Sequence, residues 1–355
     1  MMASRVIRSR VPLRVSFCGG GTDVPPYPSE HGGVALSATI NRYVQCSLEV
    51  QAGDSIELHS VDLDQTATFK VAATPIFDGN LDLIKAVFRR IQPGRLRGLK
   101  MSFQSDAPPG SGLGSSSALV VSAILAVTRW LGISLSPHEL AHLAYVIERD
   151  DLGILGGYQD QYAVSYGGFN FMEFTGTGVD VYPLRLPREL VEELQVHLLL
   201  CFTGGTRLSA GILESQVANY RAGLGQSTLA LHRIKALTYD LRRELLAGRL
   251  LNFGELLDVA WTEKKRLTTV ISTSHIDELY DVARKNGAIG GKLLGAGGGG
   301  YLLLLVPPLS RYKVARALEA AGGHVTPFLT FSDSPPFSWE VRENAAVISP
   351  EFLGG

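Results

Sequence analysis

The chain has 355 residues, of which 45% are hydrophobic and 19% charged, a globular balance with length enough for two domains and a core in each. Its formal net charge of -1 excludes a long-range pull toward nucleic acid or an anionic membrane, so any phosphate site must be built locally. The three cysteines, Cys18, Cys46 and Cys201, form neither a disulfide framework nor a metal cluster, which suits a reducing cytoplasm. The basic stretch Met1 to Arg14 lacks an apolar signal core. No apolar run reaches the roughly 18–20 residues a membrane helix needs. The expectation is a cytoplasmic protein with a small-molecule partner, and with no nucleic acid or membrane partner.

In chain order, Val11 to Cys18 predicts a strand stopping at Gly19-Gly20-Gly21. Val34 to Asn41 and Tyr43 to Gln51 predict two more, and Ser55 to Leu58 and Ala67 to Val71 continue the pattern. Leu81, Ile84, Val87, Phe88 and Ile91 have helical spacing. Leu99 to Gln104 predicts a strand, and from Pro108 a glycine-serine loop opens a buried helix at Ala118. Pro137 to Glu148 predicts a helix with Ser136 as N-cap. Gly153 to Gly157 interrupts it before Gln159 to Tyr166, and Gly167-Gly168 turns into the strand Phe169 to Phe174.

The pattern breaks around Pro183 to Pro187, which places a domain boundary at 187 and expects units 1–187 and 188–345. Beyond it come a strand (Val196 to Phe202), helices near Ser209–Ala222, Ser227–Ala247, Phe253–Thr269 and Ile276–Asn286, and the glycine run Gly295 to Gly300. An apolar strand (Tyr301 to Val306), a helix (Arg311 to Ala321) and a strand (Val325 to Phe331) follow. This order suits an α+β sandwich. The tail after Asp333 carries no pattern that predicts an element.

The strongest chemical signal is Pro108-Pro109-Gly110-Ser111-Gly112-Leu113-Gly114-Ser115-Ser116-Ser117-Ala118. Its glycines let the backbone approach a ligand at positive φ, and the amides of the following helix can hold phosphate oxygens. The plain alternative is a glycine turn with serine N-caps, and the loop-to-helix context weighs against it. A Walker A loop is excluded, because Asn286 replaces its first glycine and Leu293 follows Gly291-Lys292. Gly295-Ala296-Gly297-Gly298-Gly299-Gly300 satisfies G-x-G-x-x-G, yet a strand follows it and not the helix a dinucleotide site requires.

Arg14 within Pro12-Leu13-Arg14-Val15, the Pro108–Ala118 loop and Gly295–Gly300 entering a strand resemble motifs one, two and three of the GHMP kinases, in the family's order and across nearly the whole chain. Gly19-Gly20-Gly21-Thr22-Asp23 and Gly167-Gly168-Phe169-Asn170-Phe171 narrow the resemblance to the subfamily of D-glycero-D-manno-heptose 7-phosphate kinases; fucokinase-like domains share much of the pattern. The resemblance implies an α+β, two-domain fold: an N-terminal domain like the second domain of a small-subunit ribosomal protein, and a ferredoxin-like C-terminal domain. It implies ATP and Mg²⁺, and phosphorylation of the anomeric C1 hydroxyl of a sugar phosphate. The sequence does not fix the oligomeric state, and a homodimer is carried as the one macromolecular partner.

The same resemblance assigns roles. Asp160 matches the catalytic aspartate and Arg14 the basic residue beside it. Glu148 matches the Mg²⁺ ligand, with Ser116 as the hydroxyl ligand and Ser115 or Ser117 as its neighbours in register. Pro109 to Ser117 (Pro109, Gly110, Ser111, Gly112, Leu113, Gly114, Ser115, Ser116, Ser117) would hold the nucleotide. Gly20, Gly21, Thr22, Asp23, Gly297, Gly298 and Arg207 would face the acceptor, with Arg207, or else Arg42 or Lys264, as its phosphate contact. Galactokinase's Glu-His pair before Thr-Asp is Gly20-Gly21 here, which argues for a bulkier or differently placed sugar. Read singly, Asp160 would be a helix cap, Glu148 a surface acid and Arg14 a strand-end cation. Their joint presence with Ser116 weighs against a non-catalytic sugar and ATP sensor; a fucokinase-type free-sugar kinase is the rival within enzymes.

Overall fold

The computed structural model describes residues 5–91, 98–206, 210–223, 225–326 and 329–341. The first half runs β1 (Val6–Cys18), α1 (Tyr27–His31), β2 (Gly33–Val50), β3 (Ser55–Ser60), β4 (Gln65–Lys70), α2 (Asp82–Ile91) and β5 (Leu99–Ser105). It continues through α3 (Ser115–Leu131), α4 (Pro137–Val146), a π-helical turn (Ile147–Asp151), α5 (Gln159–Tyr166), β6 (Phe169–Phe174) and β7 (Val179–Pro183). The second half is α6 (Arg188–His197), β8 (Leu198–Phe202), α7 (Ala210–Arg221), α8 (Gly225–Leu246), α9 (Leu250–Lys265), α10 (Ser274–Lys285), β9 (Gly290–Leu293) and β10 (Tyr301–Leu305). It closes with α11 (Arg311–Ala320), β11 (His324–Thr326) and β12 (Phe337–Val341).

The larger sheet has the order β12-β1-β2-β5-β3-β4. One long strand, β2, takes the place of the two strands expected between Val34 and Gln51. Its first half pairs with β6 (Gly33 to Ala38) and its second half with β5 (Val44 to Val50). The register against β1 shifts between Pro12 and Leu13, where Pro12 cannot donate to the ladder. Arg14 therefore sits just past an irregularity, at the buried end of β1, with Leu13 and Val15 wholly buried beside it.

The second sheet has the order β11-β8-β10-β9, all antiparallel. Ranked by chain position among these four, that order is the ferredoxin-like arrangement. Leu302 to Leu305 of β10 have no exposed surface, and burying a leucine side chain contributes about 1.5–3 kcal/mol. Such a run, apolar at every position, marks a strand covered on both faces.

Three differences from the sequence reading have physical reasons. The tail after Asp333, for which no element was expected, supplies β12, which pairs with β1 from Val6↔Val341 to Arg10↔Phe337. Its partner lies at the far end of the chain, so no local pattern announces it. Ser332 N–H donating to the Thr39 carbonyl (2.9 Å) and the bridge Ile40↔Phe331 stitch the segment before it to β2. The first sheet thus draws strands from both sides of the boundary expected at 187. Second, residues 188–197 form α6 where a strand was expected from Val196; only Leu194 and His197 of this helix are buried. Third, the helix predicted to Glu148 ends at Val146 and passes into the π-helical turn.

Candidate active site

The helix α3 begins in an unusual way. Gly114 stands at its N-cap in the left-handed region (φ 74°), and no side chain caps the helix. By contrast, α4 carries a complete capping box in which Ser136 and Glu139 satisfy each other's backbone N–H groups. An uncapped N-terminus leaves amide donors at the positive end of the helix dipole free to receive an anion. The serine triplet therefore does not serve as N-caps. Ser115, Ser116 and Ser117 line the cleft, as do Gly110, Gly112 and Gly114. Pro109, Ser111 and Leu113 do not line it. Pro109 is exposed, and the Leu113 carbonyl accepts from Arg14 N–H (3.0 Å) while the Ser111 carbonyl accepts from Tyr301 N–H (3.1 Å).

Packed against this loop, Arg14 donates to Asp160 Oδ1 through both Nε (2.9 Å) and Nη2 (2.7 Å) and through Nη1 to the Gly112 carbonyl. The arginine is 3% exposed and the aspartate 33%, so the carboxylate reaches the cavity while its partner cation is held behind it. Oδ2 of Asp160 is left without a hydrogen bond to Arg14, and the residue lines the cleft. Packing enforces the arrangement, since a Cβ on Gly114 would lie 3.2 Å from Arg14 Cγ.

Glu148 lies in the π-helical turn, a device that re-aims a side chain within a helix. It is 2% exposed. Oε1 accepts from Gln161 Nε2 (3.0 Å) and Oε2 lies 3.5 Å from Arg149 Nη1. Burial pushes its carboxyl up, opposed by the Arg149 guanidinium and by the Ser117 hydroxyl. The hydroxyl beside Glu148 is thus that of Ser117, while Ser116 is the exposed member of the triplet.

The Gly20–Asp23 turn forms another wall. Asp23 Oδ1 accepts from Gly21 N–H (3.0 Å) and Oδ2 from Gln159 N–H (3.1 Å), so its carboxylate also caps α5, the helix that carries Asp160. Burial raises the Asp23 pKa, and these backbone donors oppose that rise. A Cβ on Gly157 would fall 1.9 Å from Asp23 Oδ2, which fixes that position as glycine. Thr22 faces away from the cleft; its hydroxyl lies 2.8 Å from the Gly19 and Val34 carbonyls and accepts from Val34 N–H (3.0 Å). Gly297 lines the cleft, whereas Gly298 is tied by its N–H to the Ile271 carbonyl (2.8 Å) and does not. Arg207 lies outside the described residues.

Two lysines were given too little weight by the sequence reading. Lys264, only an alternative there, and Lys292, met only while excluding a Walker A loop, both line the cleft. They are 5% and 3% exposed. A lone lysine inside Gly290–Leu293, beside a strand of unbroken leucines, was the signal available for the second. Burial lowers the Lys264 pKa to about 8, with the neighbouring Arg14 guanidinium acting in the same direction. Burial likewise lowers that of Lys292. Arg42 is half-buried and does not line the cleft.

The family model "GHMP kinases N terminal domain" matches residues 82–168, and "GHMP kinases C terminal" matches residues 241–324. The chain is 36% identical over 341 residues to a D-glycero-alpha-D-manno-heptose 7-phosphate kinase of Campylobacter jejuni, covering 95% of this chain and all of that one. A solved structure named as a D-glycero-D-manno-heptose 1-phosphate kinase from Bacteroides thetaiotaomicron superposes with a TM-score of 0.80 at 35% identity, covering 95% of this chain and 99% of that one. A bifunctional fucokinase/GDP-fucose pyrophosphorylase of Arabidopsis thaliana is 29% identical over 88% of this chain, which spans 31% of that larger protein.

Proposed function

The chain belongs to the GHMP kinases, and from that premise we propose that it transfers the terminal phosphoryl group of ATP to the anomeric C1 hydroxyl of D-glycero-D-manno-heptose 7-phosphate. The observation that carries this is the Arg14–Asp160 pair opening into the same cleft as the uncapped N-terminus of α3. Phosphoryl transfer asks a protein chiefly for positioning and charge stabilisation. The amides of 110–117 are suited to hold the nucleotide's phosphates, and a triphosphate there gains from the helix dipole. Asp160 is placed to accept the proton of the acceptor hydroxyl as the oxygen attacks the γ-phosphorus and the bond to the leaving ADP oxygen breaks. Arg14 orients that carboxylate by holding Oδ1, and it adds positive charge where negative charge accumulates.

The donors beside the phosphate loop fit Mg²⁺, which favours hard oxygens and keeps several waters: a buried carboxylate (Glu148) adjoins a hydroxyl (Ser117), with a further exposed hydroxyl (Ser116). Bound there, the ion would neutralise charge on the phosphate oxygens. Glu148 with Ser116 or Ser117 would hold it, and metal binding would favour the ionised form of the glutamate that burial disfavours.

ADP release from Mg-ATP across heptose 7-phosphate, heptose 1-phosphate, free heptose and fucose tests this. Turnover with the 7-phosphate alone is expected. Turnover with the 1-phosphate would move the acceptor to another hydroxyl, as the name of the Bacteroides relative has it, and turnover with fucose alone would discard a phosphorylated acceptor.

A further inference from the structure

Lys264 and Lys292 have no part in the chemistry above. Each ammonium has three N–H donors, yet among the described residues Lys264 donates only to the Gly295 carbonyl and Lys292 only to the Ser16 carbonyl (2.7 Å). Among the described residues, neither has a carboxylate at ion-pairing distance. Burying an ammonium costs several kcal/mol unless a partner completes it, roughly speaking. The nearby acids are already engaged: Asp160 by Arg14, and Asp23 by the Gly21 and Gln159 amides. The cleft therefore holds two buried amines that none of its described carboxylates pairs with.

Its position narrows the ligand. The charged groups acting on both lysines include Arg14, Asp23 and Cys18, all on β1 or the turn after it. A Cβ on Gly20 would lie 3.9 Å from Lys264 Nζ, so the missing side chain at Gly20 leaves open the space that the ammonium faces. The nucleotide's phosphates have their own donors at the start of α3. We infer that Lys264, backed by Lys292, receives the acceptor's own phosphate, a dianionic phosphomonoester seated against the Gly20–Asp23 turn. This rests on the acceptor being a sugar phosphate, and it makes the lysine pair the feature that separates such acceptors from free sugars.

Steady-state kinetics on the full chain test it, with Lys264→Met, Lys264→Arg and Lys292→Met assayed against the sugar phosphate and its unphosphorylated parent. Lys264→Met should raise KM for the sugar phosphate by about 10- to 100-fold, the range of a charge-assisted hydrogen bond. KM for ATP and the rate with the free sugar should hold within about twofold, and Lys264→Arg should recover part of the loss. Melting temperatures of both Met variants should equal or exceed the wild type, since an uncompensated buried charge is removed. A fall in kcat with both acceptors, or a raised KM for ATP, would overturn the assignment and place the lysines on the transferred group. Inorganic phosphate supplies an arm independent of the acceptor's identity. It should inhibit the wild type competitively against the acceptor and fail to do so in Lys264→Met. If the wild type takes only free sugars, the sugar-phosphate premise fails, and phosphate competition still decides the anion site. Absence of competition in the wild type would overturn that site too.

Discussion

The two glycine-rich loops that meet in the cleft both depend on glycine backbone, and they differ in the element each one enters. Between Pro108 and Gly114, Gly110, Gly112 and Gly114 alternate at φ of 73°, 83° and 74°, a Cβ on Gly112 would lie 2.5 Å from the Leu294 carbonyl oxygen, and the run delivers the chain into an uncapped helix. Between Gly295 and Gly300 positive φ recurs, at 72°, 130°, 75° and 102° for Gly295, Gly297, Gly298 and Gly300, and close contact with neighbouring backbone is added to it. A Cβ on Gly295 would lie 2.6 Å from Gly112 Cα, one on Gly299 2.7 Å from the Gly205 carbonyl oxygen, and one on Gly300 2.3 Å from the Ser111 carbonyl oxygen. The first loop leads into free helix amides; the second packs against it and itself lines the cleft through Gly295, Gly297 and Gly299. The element each loop enters, a helix for the first and a strand for the second, distinguishes the loop proposed to hold phosphates from the loop packed against it when the glycine count alone does not.

The largest expected effect leaves both loops intact and removes the chemistry between them. Asp160→Asn should lower kcat by about 10²–10⁴-fold, the usual worth of a positioned acid or base, while ATP binding measured by titration stays near wild type. Unchanged turnover would remove Asp160 from the reaction.

Next in size is a test of the contact between the two loops. Gly112→Ala and Gly295→Ala each force a methyl group into the other loop's backbone, and overpacking of this kind costs about 1–3 kcal/mol. Both should lower stability in urea and raise KM for ATP, although only Gly112 belongs to the phosphate loop. If Gly295→Ala destabilised the fold and left ATP kinetics untouched, the two loops would be independent.

A smaller effect concerns pH. The Lys264 pKa is lowered to about 8, below its unfolded value near 10.4. The unfolded chain therefore binds more protons between these values, so this group destabilises the fold at neutral pH and its penalty fades as pH rises from about 8 toward 10. Arg14, Asp23, Cys18, Asp160 and Lys292 are the charged or titratable groups around it. The stability gained by Lys264→Met should be largest at pH 7 and shrink by pH 9.5 in urea melts; a gain constant with pH would mean that packing, not charge, is responsible.

The smallest effect serves as the control for glycine conformation. Gly132 closes α3 at φ 72° with open space where a Cβ would point. Gly132→Ala should cost about 1–2 kcal/mol of stability from the left-handed backbone alone, with KM and kcat unchanged. Altered kinetics here would show that strain at the far end of α3 reaches the phosphate loop.

Much of this was legible in the sequence because it is local. The Pro108–Ser117 loop, the Ser136 cap and the apolar run at Tyr301 each carry their signal within a few residues, and the ordered loops, with Arg14, Glu148 and Asp160, could be tied to a family. The features that were not legible depend on tertiary neighbours. Strand β12 exists because the edge of β1 is free to receive it. The single strand β2 is continuous because β6 and β5 each support one half. The double engagement of Asp23 by Gly21 and Gln159 is invisible until the turn meets α5. Lys292 entered the sequence reading only through the excluded Walker A match, and only the fold brings it to the cleft beside Lys264.

The most direct test of phosphoryl transfer through the Arg14–Asp160 pair is phosphorus and proton NMR of the product formed from heptose 7-phosphate and Mg-ATP by the wild type and by Asp160→Asn. The expected result is a heptose bearing a second phosphate coupled to its anomeric proton, formed by the wild type and nearly absent with the variant. A product phosphorylated elsewhere, or equal formation by the variant, would contradict it.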